Sequence, residues 1–198
     1  MDTLKAEKRS METKAKRLRR EGYVTGNVFG HDIEGSIPVK IAKNDAENIL
    51  KKKKKGSQIM LDVDGQSYDV LIKEIQFNPL KGQVDEIDFQ ALVSNEKVHS
   101  VAEIVLVNHD KLEAGVLQQH LEEISFRALP SALVDKIMVD VGDMKVGDVI
   151  KVKDLAIAQD KDVDLKTDLE AAVVSVAAVH VDPALEAEEE AAAEEEAK

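Results

Sequence analysis

The sequence contains no cysteine and no tryptophan, and it has only two tyrosines and four phenylalanines among 198 residues. Without cysteine the chain can form neither a disulfide framework nor a thiolate metal or redox site, which fits a reducing cytosol. Aromatic residues make up 3% of the chain, so base stacking on aromatic platforms cannot dominate nucleic-acid recognition. These absences exclude thiol chemistry and aromatic-platform binding from the candidate functions.

Long hydrophobic runs are also missing. The N-terminus has no apolar core of the signal-peptide kind, and nowhere do about 18 apolar residues follow one another. We therefore expect a soluble, cytoplasmic protein with no membrane partner. Hydrophobic residues nevertheless make up 43% of the chain, which is enough for a buried core, and 198 residues suffice for two modest domains.

Catalytic and cofactor motifs are missing as well. The sequence has no phosphate-binding loop of the G-x-x-x-x-G-K type and no dinucleotide-binding fingerprint. Its five histidines include no pair at three- or four-residue spacing, so a histidine metal site has no local support. The many carboxylates include no evident pair of general acid and base. We expect a protein that is not an enzyme and that binds no metal or other cofactor.

Charge is distributed unevenly along the chain, although the net value is −12. Residues 1–95 hold 17 Lys and Arg against 15 Asp and Glu, a net +2, whereas residues 96–198 hold 10 against 24, a net −14. An acidic partner would therefore be attracted by the first half and repelled by the second. This asymmetry favours binding of a polyanion by the N-terminal half.

The densest positive charge lies in residues 14–20, KAKRLRR, beside which only Glu21 is available as a counter-charge. A polyanion with regularly spaced phosphates fits this segment best, because each cation that neutralises a phosphate releases a condensed counterion. Nucleic acid is therefore the first hypothesis, and a solvated helix face is the alternative. The five cations are Lys14, Lys16, Arg17, Arg19 and Arg20.

Alternating hydrophobic and polar residues predict a small β-barrel in residues 1–95. Asp64-Gly65 predicts a tight hairpin turn, because both residue types readily adopt positive φ. The predicted strands are residues 3–9, 22–30, 36–42, 58–63, 67–76 and 84–93.

One or two short helices are expected in the same domain. Ser10 is the predicted cap of a helix over residues 11–21 with Leu18 facing inward, and Asn44 or Asp45 is the predicted cap of a second one. Five lysines at residues 51–55 follow that second helix. They are interpreted either as a solvated helix terminus, where cations complement the helix dipole, or as nonspecific contacts to an RNA backbone.

A second, largely β domain is predicted for residues 96–182, with strands at 98–107, 124–129, 137–141, 149–152 and 173–181. Residues 183–198 are nearly all Ala and Glu after Pro183. Such a segment cannot bury enough apolar surface to fold alone, so we expect an acidic disordered tail. We hypothesise that it suppresses nonspecific RNA contacts. The fold class is therefore mainly β, with a barrel, a second β domain and a tail.

Three segments occur in the order of a known family: KRLRREGYVTGNVFG, LDVDGQSYDVLIKEIQFNPLKGQVDEIDFQAL and LPSALVDKIMVDVGDMKVGDVIKVKDL. They resemble the long, two-domain form of the bacterial large-subunit ribosomal protein L-twenty-five, also called the general stress protein CTC family. The similarity spans about residues 3–181. It implies an N-terminal barrel that binds 5S rRNA and a C-terminal β domain.

The resemblance also implies which residues contact RNA. Cations would hold phosphates, while Gln76 and Asp88 would meet base edges in a widened, irregular groove. For Asp88 the alternative is a strand residue paired with Lys73. The residues that match the family pattern are Arg9, Lys16, Arg17, Arg19, the Phe29-Gly30 pair, Gln76 and Asp88, with Lys14 and Arg20 in the same basic segment.

The sequence departs from the family pattern at four positions: Ala15 replaces a serine, Thr25 a proline, Phe29 a tyrosine and Glu86 a histidine. Glu86 matters most, because a carboxylate that faces phosphate would repel it. Two alternatives remain compatible with RNA binding: Glu86 bonds a base, or it bonds an arginine of its own protein.

These observations predict a non-catalytic structural protein of the large ribosomal subunit, located on cytoplasmic ribosomes. Its expected partners are 5S rRNA and neighbouring ribosomal proteins. The second domain is expected to contact proteins or act as a spacer, since its charge argues against a large rRNA footprint. The alternative is a stress-related protein-interaction module that uses the acidic domain, with RNA binding secondary or lost.

Overall fold

Six strands of the N-terminal half form a closed barrel. In the computed structural model, the structure describes residues 2–111, 115–160 and 162–178. The six strands are β1 (Thr3–Lys8), β2 (Tyr23–Phe29), β3 (Ser36–Ala42), β4 (Gln58–Val63), β5 (Gln66–Asn78) and β6 (Gln83–Ala91). Their order around the barrel is β1-β3-β2-β6-β5-β4, with β1 parallel to β4 and β2 parallel to β6. The predicted barrel is confirmed.

The barrel interior is filled by alternate residues of these strands, because successive side chains of a strand point to opposite faces. Aliphatic residues dominate this core, together with one phenylalanine. The fully buried members include Val24, Val28, Val39, Ile41, Ile59, Leu61, Ile72, Ile87 and Phe89. The inward faces leave the alternate, outward positions free for polar side chains.

The hairpin between β4 and β5 turns at Asp64 and Gly65, whose φ angles are 52° and 88°. Positive φ at both central residues is the geometry predicted from the Asp-Gly pair.

Gly26 of β2 allows a close approach between strands, because a Cβ added there would lie 2.0 Å from the carbonyl oxygen of Ile87 in β6. A glycine at this position lets the two strands approach closely.

Two helices cover the barrel, α1 (Ala15–Arg20) and α2 (Lys43–Leu50). The predicted start of the first helix is wrong, because Ser10 accepts a hydrogen bond from the Glu12 amide in a preceding turn instead of capping the helix. The helix is instead preceded by Lys14 in an extended conformation. Leu18 is buried as predicted.

The cap predicted for α2 is also wrong. The residue that precedes this helix is Ala42 in an extended conformation, with no side-chain cap, rather than Asn44 or Asp45. Asp45 lies in the first turn, where a carboxylate favours the helix dipole. The helix ends at Leu50, next to the lysines of residues 51–55.

The described residues of the second half form seven strands in two sheets. They are β7 (Val98–Val107), β8 (Val116–Gln119), β9 (Glu123–Ala128), β10 (Lys136–Asp140), β11 (Val149–Lys151), β12 (Val163–Leu165) and β13 (Ala172–Ala177). One sheet has the order β10-β7-β9-β12 and the other β11-β13-β8. Side chains such as Ile124, Phe126 and Val173 form a shared core. The largely β character predicted for this half is confirmed, and β8 and β12 were not predicted.

The two halves meet through Gly56, which follows the lysines of residues 51–55. Gly56 has φ +86°, and a Cβ added to it would lie 1.9 Å from the carbonyl oxygen of Val101. The buried hydroxyl of Ser100 donates to the Gly56 carbonyl oxygen at 3.1 Å. Lys73 of β5 donates to the His99 carbonyl oxygen at 2.9 Å. Backbone of β7 therefore packs directly on the end of the barrel.

Ion pairs cross the same junction. The Lys53 ammonium lies 2.6 Å from the Asp135 carboxylate, and Lys54 pairs with Glu103 of β7. Neither interpretation of the five lysines included these contacts, in which Lys53 and Lys54 pair with carboxylates of the second half. Sequence periodicity could not reveal the contact, since the partners are 49 and 82 positions away. Contact of the lysine run with RNA stays a prediction.

The boundary between residues 95 and 96 stays a prediction. The expected acidic tail, residues 183–198, lies outside the described residues. In the described ranges no helix is long and apolar enough to cross a membrane.

Candidate nucleic-acid interface

Strand register arranges the outward residues of the barrel in two neighbouring rows. Each row crosses β1, β3, β2, β6 and β5, because paired residues of adjacent strands lie side by side. The first row is Glu7, Lys40, Thr25, Glu86 and Gln76. The second row is Arg9, Pro38, Asn27, Asp88 and Glu74. Three sequence-predicted residues, Arg9, Gln76 and Asp88, thus lie on one continuous outer surface.

Helix α1 is fixed on this surface by Arg19. Its guanidinium donates to the Asp85 carbonyl oxygen at 3.0 Å, and to the Thr25 hydroxyl and the Glu86 carboxylate at 3.3 Å each. Thr25 lies on the outward row but is only 1% exposed. The helix therefore lies over the first row, next to Glu86.

The remaining cations of this segment are exposed. Arg17 pairs with Glu21 one turn away at 2.8 Å, and this hydrogen bond raises the pKa of Arg17. Its side chain is still 75% exposed, so breaking the pair to bind a phosphate requires little free energy. Lys14, Lys16 and Arg20 are exposed and form no ion pair within the part of the chain that the structure describes. Arg19 therefore anchors the helix, whereas its basic neighbours face solvent.

Arg9 follows the last residue of β1, and its guanidinium donates to the Thr13 carbonyl oxygen at 3.1 and 3.4 Å. Its amide donates to the Pro38 carbonyl oxygen at 2.9 Å, which continues the pairing with β3. Arg9 therefore holds the segment that leads into α1. Its partner is a neutral carbonyl, so its positive charge remains available to an anion.

Asp88 occupies the centre of the second row. Its Oδ1 accepts hydrogen bonds from the Asn27 amide at 3.1 Å and from the Asn27 side chain at 3.3 Å. The alternative pairing with Lys73 is wrong, because Lys73 donates to His99 at the domain junction. Asp88 Oδ2 has no hydrogen-bond partner in the part of the chain that the structure describes.

Gln76 and Phe29 lie at two edges of the surface. Gln76 is exposed beside a register shift in β5, opposite Glu86. Phe29 is half-buried at the end of β2, opposite Ser36 and Gln90. The Gln76 amide can both donate to and accept from a base edge. The half-buried Phe29 ring offers one apolar contact at the opposite end.

Sequence reasoning missed two residues of this surface. Asn27 holds the Asp88 carboxylate, and Lys40 pairs with Glu7 at 2.8 Å, a hydrogen bond that raises the Lys40 pKa. The available signal was their position, since both are polar residues at outward sites of strands with buried aliphatic neighbours.

Carboxylates are concentrated on β6, beside the cations of α1. The Asp85 carboxylate accepts hydrogen bonds from Asn78 and Gln83 and lies near Arg19, and these interactions lower its pKa. Glu86 is neutralised by Arg19. The surface therefore combines free cations, which suit phosphates, with oriented acceptors, which suit base amino groups. Within the described residues no group of three or more His, Asp and Glu side chains is arranged to hold a metal ion.

Comparisons with known proteins agree with this architecture. Residues 4–89 match the Ribosomal L25p family, and residues 97–180 match the C-terminal domain of ribosomal protein TL5. The chain is 35% identical over 142 residues to the large ribosomal subunit protein bL25 of Geobacillus thermodenitrificans, covering 71% of this chain and 67% of the relative.

Other relatives named large ribosomal subunit protein bL25 match over more of the chain. That of Thermoanaerobacter sp. is 31% identical over 166 residues, covering 83% of this chain and 82% of the relative. That of Thermosipho africanus is 32% identical over 207 residues, covering 99% and 93%.

The barrel, the second β domain and these matches define a ribosomal protein with a structural rather than an enzymatic role. The chain belongs to the ribosomal L25p family, in its long, two-domain form. The family assignment made from the three sequence segments is confirmed.

Proposed function

We propose that this chain is a component of the large ribosomal subunit on cytoplasmic ribosomes, and that its barrel binds 5S rRNA through α1 and the two outward rows. The observation that carries the proposal is the position of α1. Its exposed cations adjoin a surface on which Gln76 and Asp88 lie in neighbouring rows. Relatives named as large-subunit proteins support the assignment to that particle.

Phosphate contacts come first from α1. Lys16, Arg17 and Arg20 are exposed on the six-residue helix α1, and exposed Lys14 directly precedes it, so several cations lie within one short surface. Each phosphate that they neutralise adds affinity by releasing a counterion, and this affinity falls as salt rises. Arg9, whose guanidinium donates to a neutral carbonyl and has no ion pair among the described residues, adds a further cation.

Base recognition comes from the strands. Asp88 Oδ2 accepts from an amino group such as that of cytosine, while its Oδ1 is held by Asn27. Gln76 offers an amide donor and acceptor at the first row. Because regular A-form RNA hides its major groove from side chains, these contacts require an irregular or widened segment of the RNA. Phe29 adds an apolar contact at the end of β2.

Arg19 acts differently from its neighbours. Its guanidinium bonds Asp85, Thr25 and Glu86, so its main contribution is to place α1 against the barrel. The pair with Arg19 also removes the repulsion that Glu86 would otherwise exert on a phosphate.

The second domain is proposed to contact proteins or act as a spacer. Residues 96–198, which comprise this domain and the acidic tail, carry a net charge of −14, and this charge opposes a large rRNA footprint.

The test compares a 5S rRNA fragment with an RNA duplex of equal length, using the full chain and a series of salt concentrations. Lys16→Ala with Arg20→Ala is the informative variant. We expect specific binding by the wild type, and a slope of log affinity against log salt that falls in the variant by roughly 0.9 for each lost phosphate contact. Lys136→Ala with Lys145→Ala makes the same charge change at exposed lysines of the second domain.

Equal effects of the two double substitutions would refute the α1 site, since net charge alone would then explain the loss. Equal, weak binding of both RNAs by the wild type would refute 5S rRNA as the target. Sedimentation of ribosomes from cell lysate separates the ribosomal role from a stress-related protein-interaction module, because a purely free pool is the result expected of the latter.

A further inference from the structure

We propose that the second domain restricts where RNA binds to the barrel, because Asp135 and Glu103 shield Lys53 and Lys54 from phosphates. We call these four residues the junction shield. The inference rests on the proposed RNA-binding function of the barrel. Asp135 and Glu103 of the acidic domain would thereby raise the preference for 5S rRNA over other RNA without contacting the 5S rRNA.

The lysines of residues 51–55 form the longest run of one charge in the sequence. They follow α2 and are separate from the basic segment of α1. Five consecutive lysines attract any RNA backbone, irrespective of its sequence. If all five were available, they would compete with the surface beside α1. The junction shield reduces this competition, because its carboxylates pair with two of the five lysines.

The first pair of the shield is partly buried. Lys53 and Asp135 are 26% and 32% exposed, and their charged atoms lie 2.6 Å apart. At this exposure the pair is less screened by salt than a pair on the open surface. An RNA phosphate that approaches Lys53 would have to replace a carboxylate already in contact with it.

The second pair is held by burial of its carboxylate. Glu103 is 27% exposed, and its Oε2 is buried without a hydrogen-bond partner within the described residues, so Lys54 is the main compensation for its charge. If Lys54 turned toward RNA, the partly buried carboxylate would lose that compensation, which is unfavourable. Lys54 is therefore retained at the junction even though its own side chain is 60% exposed.

Backbone packing keeps the two domains in this arrangement. Gly56 contacts Val101, and the buried Ser100 hydroxyl donates to Gly56. Lys73, whose pKa is lowered first by burial and then by the nearby Lys55, donates to the His99 carbonyl oxygen. The shield is thus part of a packed junction and not a pair of isolated surface contacts.

Further carboxylates adjoin the same place. Glu122 and Glu123 line a cleft at the junction together with Lys54, Lys55 and Glu103. Their negative charge opposes an RNA backbone that approaches from this side. Among its hydrogen-bond and ion-pair partners in the described ranges, α1 has no comparable cluster from the second domain. Its exposed cations therefore remain open to the proposed 5S rRNA.

The test uses the full chain and a duplex RNA that lacks any 5S rRNA sequence. In Glu103→Gln with Asp135→Asn, both side chains keep their size but lose their charge. We expect this variant to bind the duplex several-fold more tightly at about 50 mM salt, with a salt slope steeper by about one to two.

Two further variants complete the test: the first separates the shield from net charge, and the second shows whether the gain requires Lys53 and Lys54. Asp143→Asn with Asp162→Asn makes the same charge change at exposed carboxylates whose side chains have no ion pair in the described ranges. We expect a distinctly smaller gain. In the fourfold variant, which adds Lys53→Ala and Lys54→Ala to the shield substitutions, we expect duplex binding to return to that of the wild type.

An equal gain in the two carboxylate variants would overturn the inference, and so would a gain that persists in the fourfold variant. Thermal unfolding shows whether the domains remain folded. If the double shield variant unfolds, Glu103→Gln alone leaves the Lys53 pair intact and should show about half of the change in slope.

Failure of this inference is distinguishable from failure of the proposed function. Loss of 5S rRNA preference in the wild type would refute the function, whereas the duplex measurements contain no 5S sequence. Normal 5S rRNA binding together with unchanged duplex binding by the shield variant would refute the shield alone.

Discussion

The guanidinium of Arg19 lies 3.3 Å from the carboxylate of Glu86 and thereby joins a basic helix to the barrel wall. The sequence resemblance implied a histidine at the position of Glu86, and an isolated carboxylate there would repel phosphate. The pair with Arg19 reduces this repulsion, because it places the charge of Glu86 against a cation of its own protein. Of the two alternatives considered from the sequence, this is the one observed.

Loss of the Arg19 side chain should destabilise the barrel. Arg19→Ala removes hydrogen bonds to Asp85, Thr25 and Glu86, and it leaves the partly buried Glu86 carboxylate without its cation. We expect a loss of about 1–3 kcal/mol in the free energy of unfolding, measured with urea.

Arg20→Ala is the matched control, because Arg20 is exposed and adjacent on the same helix. Its effect on stability should stay within about 0.5 kcal/mol, although it should weaken RNA binding. Equal stability losses in the two variants would contradict the anchoring role of Arg19.

Gln76 should affect specificity more than general affinity. We expect Gln76→Ala to reduce the preference for the 5S rRNA fragment over a duplex by about 1–3 kcal/mol, because a base-edge contact is lost. The salt slope should remain unchanged, since no phosphate contact is removed. Filter binding of both RNAs at several salt concentrations measures both quantities. A uniform loss for the two RNAs would assign Gln76 to backbone contacts.

Gly26 should tolerate no larger residue. A Cβ there would meet the Ile87 carbonyl oxygen at 2.0 Å, and this oxygen belongs to the backbone of β6. We expect Gly26→Ala to cost about 3 kcal/mol or more, because the strands must separate. Gly35→Ala is the comparison, with open space around the added methyl group but φ +80°, and it should cost about 1 kcal/mol. Similar unfolding midpoints for both variants would contradict close contact of β2 and β6.

Glu170 should contribute to stability in a pH-dependent way. Hydrogen bonds from Lys151 and Lys153 lower its pKa from 4.5 to about 2. Because the folded state holds the carboxylate charged, the contribution is fully present above about pH 4.5 and is lost as the pH falls toward about 2. The difference in urea midpoint between the wild type and Glu170→Gln should therefore shrink between pH 6 and pH 2.

Glu96→Gln, at an exposed glutamate without an ion pair in the described ranges, controls for loss of a charge. A separation between wild type and Glu170→Gln that stays constant over this pH range would contradict the two lysine contacts.

Local sequence patterns were sufficient for much of the barrel. Residues 36–42 alternate clearly and form β3 over the predicted range, and Asp64-Gly65 forms the predicted turn. The start of α1 was missed because the Ser10 hydroxyl can cap either a helix or a turn, and the sequence does not decide between them. The strands β8 (VLQQ) and β12 (VDL) were missed because they contain only four and three residues, and polar residues interrupt them, whereas the equally short β11 begins a V-I-K-V segment after the Gly147 turn.

The candidate site was predicted less completely, for a different reason. Its basic segment is local in sequence and was evident, but the roles of its members depend on contacts across the fold. Arg19 meets Glu86, 67 positions away, whereas Arg20 meets no ion-pair partner among the described residues. Nothing in the segment itself distinguishes these two arginines. The same limit applies to Lys53 and Lys54, whose partners belong to the other half of the chain.

The position of β1 in the barrel has a consequence for synthesis of the chain. This strand lies between β3 and β4, and the barrel is completed only by β6, which ends at Ala91. A nascent chain can pair β1 with β3 once residue 42 has emerged, but the other edge of β1 stays unpaired until β4 follows. Closure is therefore a slow, non-local event. The residues of the barrel leave the ribosomal exit tunnel before those of the acidic domain, because they are synthesised first. Every newly made molecule thus passes through an interval in which its five consecutive lysines have no carboxylate partners from that domain.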